Sequence, residues 1–278
     1  MTTLRIQVIS IPSFLVLGVA FLISGSISLF YHKAWHIPIK TLLIGSGGIF
    51  GYHFLYFMAF TFAPAVEVNL INYLWPVLIV ALTPLVLSGY KLHLQHIFGV
   101  GLGLIGAGLI VTGGSFHPQV SYFPGYLLAL GAAFTWALYS LLTKRLPAFD
   151  SSAVSAFTFI SGILSLMFYF VSGGSIGQFT QLTGREWLIV ILIGIGPLGG
   201  AFFLWDFALK RGDPRTIGSL AFLTPLLSTL ILILFGGEHL TIFNAIALVL
   251  IIGGAIIGSI RAKATAIFPM ENPDFTDN

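Results

Sequence analysis

Residues 67–87 read EVNLINYLWPVLIVALTPLVL, an apolar stretch whose only charged side chain is that of Glu67 at its start. At a rise of 1.5 Å per residue, about 20 apolar residues in a helix cross a hydrocarbon core of roughly 30 Å. The stretch therefore predicts one membrane-spanning helix. Similar stretches precede and follow it, so the chain is predicted to be an all-α polytopic membrane protein.

The composition of the whole chain indicates the same class. Of 278 residues, 57% are hydrophobic and 8% are charged, and the mean hydropathy is +1.00. A soluble domain carries about 25% charged residues because its surface faces water. The net charge of +3 is therefore expected to reflect loops at a membrane rather than nucleic-acid binding. Cysteine is absent, which excludes disulfides and thiolate metal sites.

The pattern predicts about nine spans, at residues 11–31, 41–63, 67–87, 96–114, 122–143, 151–171, 185–209, 216–235 and 241–260. Alternating crossings would place ten Lys and Arg residues on one side of the membrane and two, Arg5 and Arg185, on the other. Because positively charged loops stay in the cytoplasm, the C-terminus is expected inside and the N-terminus outside. Residues 261–278 are expected to form a polar cytoplasmic tail.

The two halves of the chain resemble each other at an offset of 149 residues. At this offset Leu74 and Pro76 match Leu223 and Pro225. The N-terminal unit, at 1–114, holds four predicted spans, and the C-terminal unit, at 122–260, holds five. Units with an odd number of spans insert upside down relative to each other. The sequence therefore predicts an inverted five-helix repeat from which the first helix is missing.

Three motifs carry a resemblance to a known family: VEVNLINYLWP at 66–76, GAAFTWALY at 131–139 and FLTPL at 222–226. With the duplicated unit, they resemble the drug/metabolite transporter superfamily of EamA type, and within it the YddG group of aromatic amino acid exporters. The resemblance covers nearly the whole chain, but the family has ten helices and this chain is predicted to have nine. It implies a transport function and a central substrate cavity lined by Tyr52, His53, Tyr56, Tyr73, Trp75 and Trp136.

Polar and aromatic residues of the second and third spans form the candidate substrate site. Tyr52 and Tyr56 are four residues apart and share a helix face. His53 lies near the middle of its span, where an ionisable residue normally faces the bundle interior or a cavity, although it could serve packing alone. Aromatic side chains deep in a membrane protein more often pack against other residues than contact a ligand. Here it is the family resemblance that favours ligand contact. The expected substrate-binding residues are Tyr52, His53, Tyr56, Asn72, Tyr73, Trp75 and Trp136.

Prolines and glycines inside the spans are expected to set their shape. Pro76 lacks an N–H and clashes with the carbonyl of Asn72, so the third span should kink there and expose a polar spot near the membrane midplane. Pro225 repeats this feature, either as part of a gate or as a purely structural kink. Glycines four residues apart predict close helix packing at Gly47 with Gly51, Gly99 with Gly103, and Gly254 with Gly258.

Acidic side chains are rare within the predicted spans. Glu67 opens the third span and is expected to serve the N-terminus of that helix, where a negative charge is favourable. Asp206 is expected to pair with Lys210, which follows one helical turn later. Neither acid predicts a proton relay.

We therefore expect an exporter of amino acids, aromatic ones first, that works by alternating access in the inner membrane. An exporter of another amphipathic metabolite or of a planar cationic drug would share the fold. An intramembrane enzyme is disfavoured because no His-Glu-x-x-His or comparable cluster is present. An assembly subunit is disfavoured because an internal repeat and a polar cluster near the midplane are unexpected in such a protein. No catalytic residue, metal or cofactor is expected. The expected partners are the substrate and the lipid bilayer, and the oligomeric state stays open, a monomer included.

Overall fold

The computed structural model describes residues 11–236 and 241–260, and the described chain consists of helices joined by turns, without strands. The predicted tail at 261–278 lies outside the described residues. In chain order the helices are α1 (Ser13–Gly25), α2 (Ile27–Phe30), α3 (Ile39–Phe62), α4 (Ala65–Asn72), α5 (Leu74–Val86), α6 (Leu94–Thr112), α7 (Phe123–Arg145), α8 (Ala153–Val171), α9 (Gly177–Thr180), α10 (Gly184–Ile195), α11 (Ala201–Arg211), α12 (Pro214–Ala221), α13 (Leu223–Gly236) and α14 (Ile242–Ser259).

Eight helical segments of the described chain are long and apolar enough to cross a membrane, one fewer than the nine predicted. They are Ser13–Phe30, Ile39–Phe62, Ala65–Val86, Leu94–Thr112, Val120–Arg145, Ala153–Val171, Gly184–Arg211 and Ile242–Ser259. The predicted span at 216–235 is present as α12 and α13, of eight and fourteen residues, separated by Phe222. This segment is built like Ala65–Val86, which counts as one span despite its break at Tyr73, so the ninth predicted segment is present in the described chain as two shorter helices. The chain is a polytopic all-α membrane protein.

Helix boundaries recur at the offset found in the sequence. α4 and α12 each have eight residues and begin 149 residues apart. The helices that precede them, α3 and α11, end at Phe62 and Arg211, which differ by the same offset. The two parts of the chain thus repeat the position of a helix break as well as that of whole helices.

The break itself follows from proline chemistry. Between α4 and α5 the backbone ψ of Tyr73 is 1°, and between α12 and α13 that of Phe222 is −11°, against about −42° in an α-helix. Pro76 and Pro225 follow three residues after these positions and have no N–H to donate to the carbonyl four residues before them. One helical hydrogen bond is therefore absent at each break, and the backbone departs from helical geometry beside it.

Helices α6 and α14 pack backbone against backbone. A Cβ placed on Gly99 would lie 2.6 Å from the Cα of Gly258, so no larger residue fits at this crossing. The predicted close packing is confirmed for the glycines of these two helices. It is wrong for Gly47 and Gly51, because a Cβ at Gly47 would meet nothing within 4 Å and one at Gly51 only an ordinary contact at 3.6 Å. Gly47 is exposed and faces away from the helix bundle.

The main buried cluster lies where α1, α3, α7, α8 and α11 meet. It includes the fully buried side chains of Phe21, Ile49 and Phe157, and the nearly buried ones of Trp136 and Phe202. Helix α1 packs along α8, and α3 packs along both α7 and α8. This packing places the middle of α3, which carries the predicted site residues, inside the bundle.

Candidate functional site

Two hydrogen bonds join α3 to α4 just before the break. The Nδ2 of Asn72 donates to the hydroxyl oxygen of Tyr52 at 3.1 Å. One turn along α3, the hydroxyl of Tyr56 donates to Oδ1 of Asn69. The rings of Tyr52 and Tyr56 are stacked, with centroids 5.7 Å apart and planes 8° from parallel. The Oδ1 of Asn72 is buried and accepts no hydrogen bond from any described residue, which leaves one acceptor open beside these rings.

His53 is buried among aromatic rings, with 4% of its surface exposed. Its Nδ1 lies 2.8 Å from the carbonyl oxygen of Ile49. Because a carbonyl only accepts, Nδ1 carries the hydrogen, and in the neutral ring Nε2 is then an acceptor. The ring lies edge-on to Tyr52 at 4.7 Å and to Phe21 at 5.0 Å, measured between centroids. His53 therefore lies in the interior of the bundle, as predicted.

Three tryptophans form a wall beside His53 and Tyr52. The ring of Trp136, on α7, lies 5.0 Å from Tyr52, 6.4 Å from Trp75 and 6.0 Å from Trp205. Trp75, on α5, also meets Trp205 edge-on at 5.4 Å. The indole N–H of Trp205 donates to the hydroxyl oxygen of Ser140 at 3.0 Å. Trp75 and Tyr52 are half-buried.

Tyr73 occupies the break and is placed differently from the other predicted residues. Its side chain packs against a cluster of α5, α6 and α13 that includes Val80, Val100 and Phe222. Pro76 is buried at the third position of α5. The structure thus brings Tyr52, His53, Tyr56, Asn72, Trp75 and Trp136 together, and Tyr73 packs against the neighbouring cluster while interacting electrostatically with Tyr52.

Several rings of the site were not among the predicted residues. Phe202 lies 5.8 Å from His53 and 5.4 Å from Trp136, and Tyr139 lies 5.3 Å from Trp136. Phe202 and Trp205 are three residues apart on α11 and so share a face, a spacing that could have indicated them. Phe21 comes from α1, whose sequence is apolar all round, and no signal in that helix distinguishes it.

Asp206 is paired, as predicted. Its Oδ2 lies 2.6 Å from the Nζ of Lys210 and accepts a hydrogen bond from the Ser151 hydroxyl at 2.6 Å. The Nζ of Lys210 also donates to the carbonyl of Phe149 at 2.9 Å. The carboxylate is 4% exposed, and these partners neutralise and hold it at the ends of α8 and α11. It therefore does not present a free charge to the aromatic site.

The site combines flat apolar walls with a few polar atoms. The polar atoms are the open Oδ1 of Asn72, the imidazole of His53 and the hydroxyls of Tyr52 and Tyr56. Such a combination suits a small amphipathic molecule with a planar group, held by stacking and oriented by a few hydrogen bonds. Within residues 11–236 and 241–260, no three His, Asp or Glu side chains lie close enough together to hold a metal ion.

Comparisons with known proteins agree with this fold. The model of the EamA-like transporter family matches residues 1–112 and 123–260. An aromatic amino acid exporter YddG from Ancylobacter novellus is 35% identical over 263 residues, which cover 91% of this chain and 90% of that protein. The aromatic amino acid exporter YddG of Escherichia coli K12 is 25% identical over 221 residues, 74% of this chain and 73% of that protein. A solved crystal structure superimposes with a TM-score of 0.85 at 34% identity, covering 93% of this chain and 91% of the other.

Proposed function

Because the chain belongs to the EamA-like transporter family, we propose that this membrane protein exports amino acids, aromatic ones above all. The observation that carries the proposal is the ring-lined site beside the break between α4 and α5. There the ring of Tyr52 lies 4.7 Å from that of His53 and 5.0 Å from that of Trp136. Transporters often bind substrate near the membrane midplane at interrupted helices, where backbone groups are free of helical hydrogen bonds.

Each group of the site has a part in holding such a substrate. The half-buried rings of Tyr52 and Trp75 stack on the planar side chain. The open Oδ1 of Asn72 accepts from the substrate's ammonium group, and so does the Nε2 of a neutral His53. The hydroxyl of Tyr56 contributes to the polar side of the site. Asp206 takes no part, since Lys210 neutralises it.

The transport cycle is alternating access between two inverted halves, at 1–114 and 122–260, in the inner membrane. The matching breaks at Tyr73 and Phe222 support this division, since each lets the two parts of a span tilt separately. Pro76 and Pro225 act as the hinges of these breaks. The C-terminus faces the cytoplasm and the N-terminus the outside, in keeping with the excess of basic residues on one side.

The experiment is substrate exchange in liposomes that contain the purified protein. Vesicles loaded with unlabelled amino acid are given a labelled panel of phenylalanine, tryptophan, leucine, threonine and a planar organic cation. We expect exchange of phenylalanine and tryptophan to be fastest and His53→Ala to abolish it. Exchange of the cation alone would assign the site to drugs instead, and no exchange of any amino acid would refute the proposal.

The chain contains a matched control for His53. His36 makes the same local contact, its Nδ1 lying 2.8 Å from the carbonyl oxygen of His32 four residues before it, but it is exposed in a turn. His36→Ala removes an identical backbone hydrogen bond and should leave the exchange rate unchanged. An equal loss in both variants would attribute the effect to the local bond and not to the site.

A further inference from the structure

The break between α4 and α5 leaves two acceptors of Asn72 without donors. The amide Oδ1 of Asn72 is buried and accepts no hydrogen bond from any described residue. The backbone carbonyl of the same residue lacks its helical donor, because Pro76, four residues later, has no N–H. Both oxygens belong to the last residue of α4, where the helix dipole places negative partial charge. This end of the helix therefore favours a positively charged donor.

His53 supplies a further acceptor beside the same tyrosine. Its Nδ1 bonds the carbonyl of Ile49 at 2.8 Å, so the Nε2 of the neutral ring accepts. The amide of Asn72 bonds the Tyr52 hydroxyl at 3.1 Å, and the rings of Tyr52 and His53 lie edge-on at 4.7 Å. The acceptors of Asn72 and His53 thus lie beside one half-buried aromatic ring. An ammonium group, with three N–H donors and no acceptor, matches this set.

The helices that carry the site bring no free cation to pair with a carboxylate. Residues 65–86, which include α4 and α5, contain one charged side chain, and it is the acid Glu67. On α3, α7 and α11 the basic residues lie at the helix ends: Lys40, Lys144, Arg145, Lys210 and Arg211. Lys210, five residues after Trp205, is already paired with Asp206 at 2.6 Å. A carboxylate moved from water into the site would therefore lack an ionic partner on these helices, which is strongly unfavourable.

We propose that the site recognises the aromatic ring and the ammonium group of its substrate and does not require the carboxylate, so that the protein also transports aromatic monoamines; this rests on the proposed function. Phenylalanine places its ammonium group on the open acceptors and its ring beside Tyr52 and Trp75. Phenethylamine has the same ring and ammonium group without the carboxylate, and so avoids the cost of taking that group out of water. We therefore expect it to bind at least as tightly as phenylalanine.

The test is inhibition of labelled phenylalanine exchange in liposomes by three analogues. Phenethylamine keeps the ring and the ammonium group, phenylpropionate keeps the ring and the carboxylate, and phenethyltrimethylammonium keeps the ring and the charge but has no N–H. Phenethylamine should inhibit at concentrations no higher than unlabelled phenylalanine does. The other two should need about tenfold more or higher, as expected when hydrogen bonds to a charged group are lost. External phenethylamine should also accelerate efflux of preloaded labelled phenylalanine, and only from vesicles that contain the protein.

Substitutions at Asn72 test whether its open acceptor reads the ammonium group. Asn72→Leu removes Oδ1 and should abolish the preference for phenethylamine over its trimethylated analogue. Asn72→Asp keeps an acceptor and adds a negative charge, so it should keep this preference and bind phenethylamine more tightly. Asn69→Leu is the matched control, on the same helix, because the Oδ1 of Asn69 already accepts from the Tyr56 hydroxyl. Whatever its exchange rate, Asn69→Leu should keep the preference of the wild type.

Each contrary result has a distinct meaning. Equal inhibition by phenylpropionate or by the trimethylated amine would refute recognition through open acceptors and leave the exporter proposal standing. Inhibition by phenethylamine without accelerated efflux would refute its transport. An unchanged preference in Asn72→Leu, or weaker phenethylamine binding in Asn72→Asp, would refute the part given to Asn72, and the second variant decides if the first does not fold. Absence of phenylalanine exchange in the wild type would instead refute the proposed function itself.

Discussion

Trp75→Ala tests whether the ring wall recognises planar substrates. Trp75 is the second residue of α5, directly after the break, and its half-buried ring meets Trp205 and Trp136 edge-on at 5.4 and 6.4 Å. An aromatic pair contributes about 0.5–1.5 kcal/mol beyond area burial. Loss of one such pair with the substrate should weaken phenylalanine transport by about two- to twelvefold relative to an aliphatic substrate.

The ratio of phenylalanine to leucine exchange is the quantity to measure. The substitution also removes the contacts with Trp205 and Trp136, and any resulting loss of folded protein lowers both rates equally and cancels in the ratio. Trp75→Phe should preserve most of the selectivity. Trp35→Ala, at an exposed tryptophan whose N–H donates to the Ser28 carbonyl at 2.9 Å, should preserve all of it. An unchanged ratio in Trp75→Ala would refute stacking of the substrate on this ring.

Three further outcomes are expected. Gly99→Ala should lower the free energy of unfolding by about 1–3 kcal/mol, because its Cβ would collide with α14. Gly101→Ala is the control, since a Cβ at that position has open space. Equal thermal unfolding midpoints for the two variants would contradict the packing. Asp206→Ala should destabilise by about 1.5–3 kcal/mol, because the partly exposed Lys210 loses its charged partner but keeps its bond to the Phe149 carbonyl. Adding Lys210→Met should recover part of this loss, and no loss in Asp206→Ala would contradict a stabilising pair. A fluorescent protein fused after Ile260 should be bright and an alkaline phosphatase there inactive; the reverse would overturn the orientation.

Apolar runs and prolines made much of the fold predictable. The spans follow from stretches of about 20 apolar residues, and the break at Tyr73 from a proline three residues later. Residues 216–235 read as one continuous apolar stretch; the backbone at Phe222 divides this stretch into two helices, as Tyr73 divides the third span. The Asp206–Lys210 pair was predictable since both residues lie one turn apart on the same helix.

The surroundings of the site were only partly predictable. In a membrane both the lipid-facing and the interior faces of a helix are apolar, so α1 shows no stripe that assigns Phe21 to the interior. Its contact with His53, and that of Phe202 from α11, depend on tertiary packing. Glu67 could be placed at a helix start, but its burial depends on tertiary packing.

The glycine crossing of α6 and α14 has a mechanical consequence. At Gly99 the two backbones touch, so sliding or rotation of one helix against the other would force main-chain atoms into each other. The two helices belong to different halves of the chain, so we expect the halves to tilt about this crossing rather than to slide along it. A disulfide engineered between these helices should consequently leave turnover intact, in a chain whose lack of cysteine makes such a cross-link unambiguous.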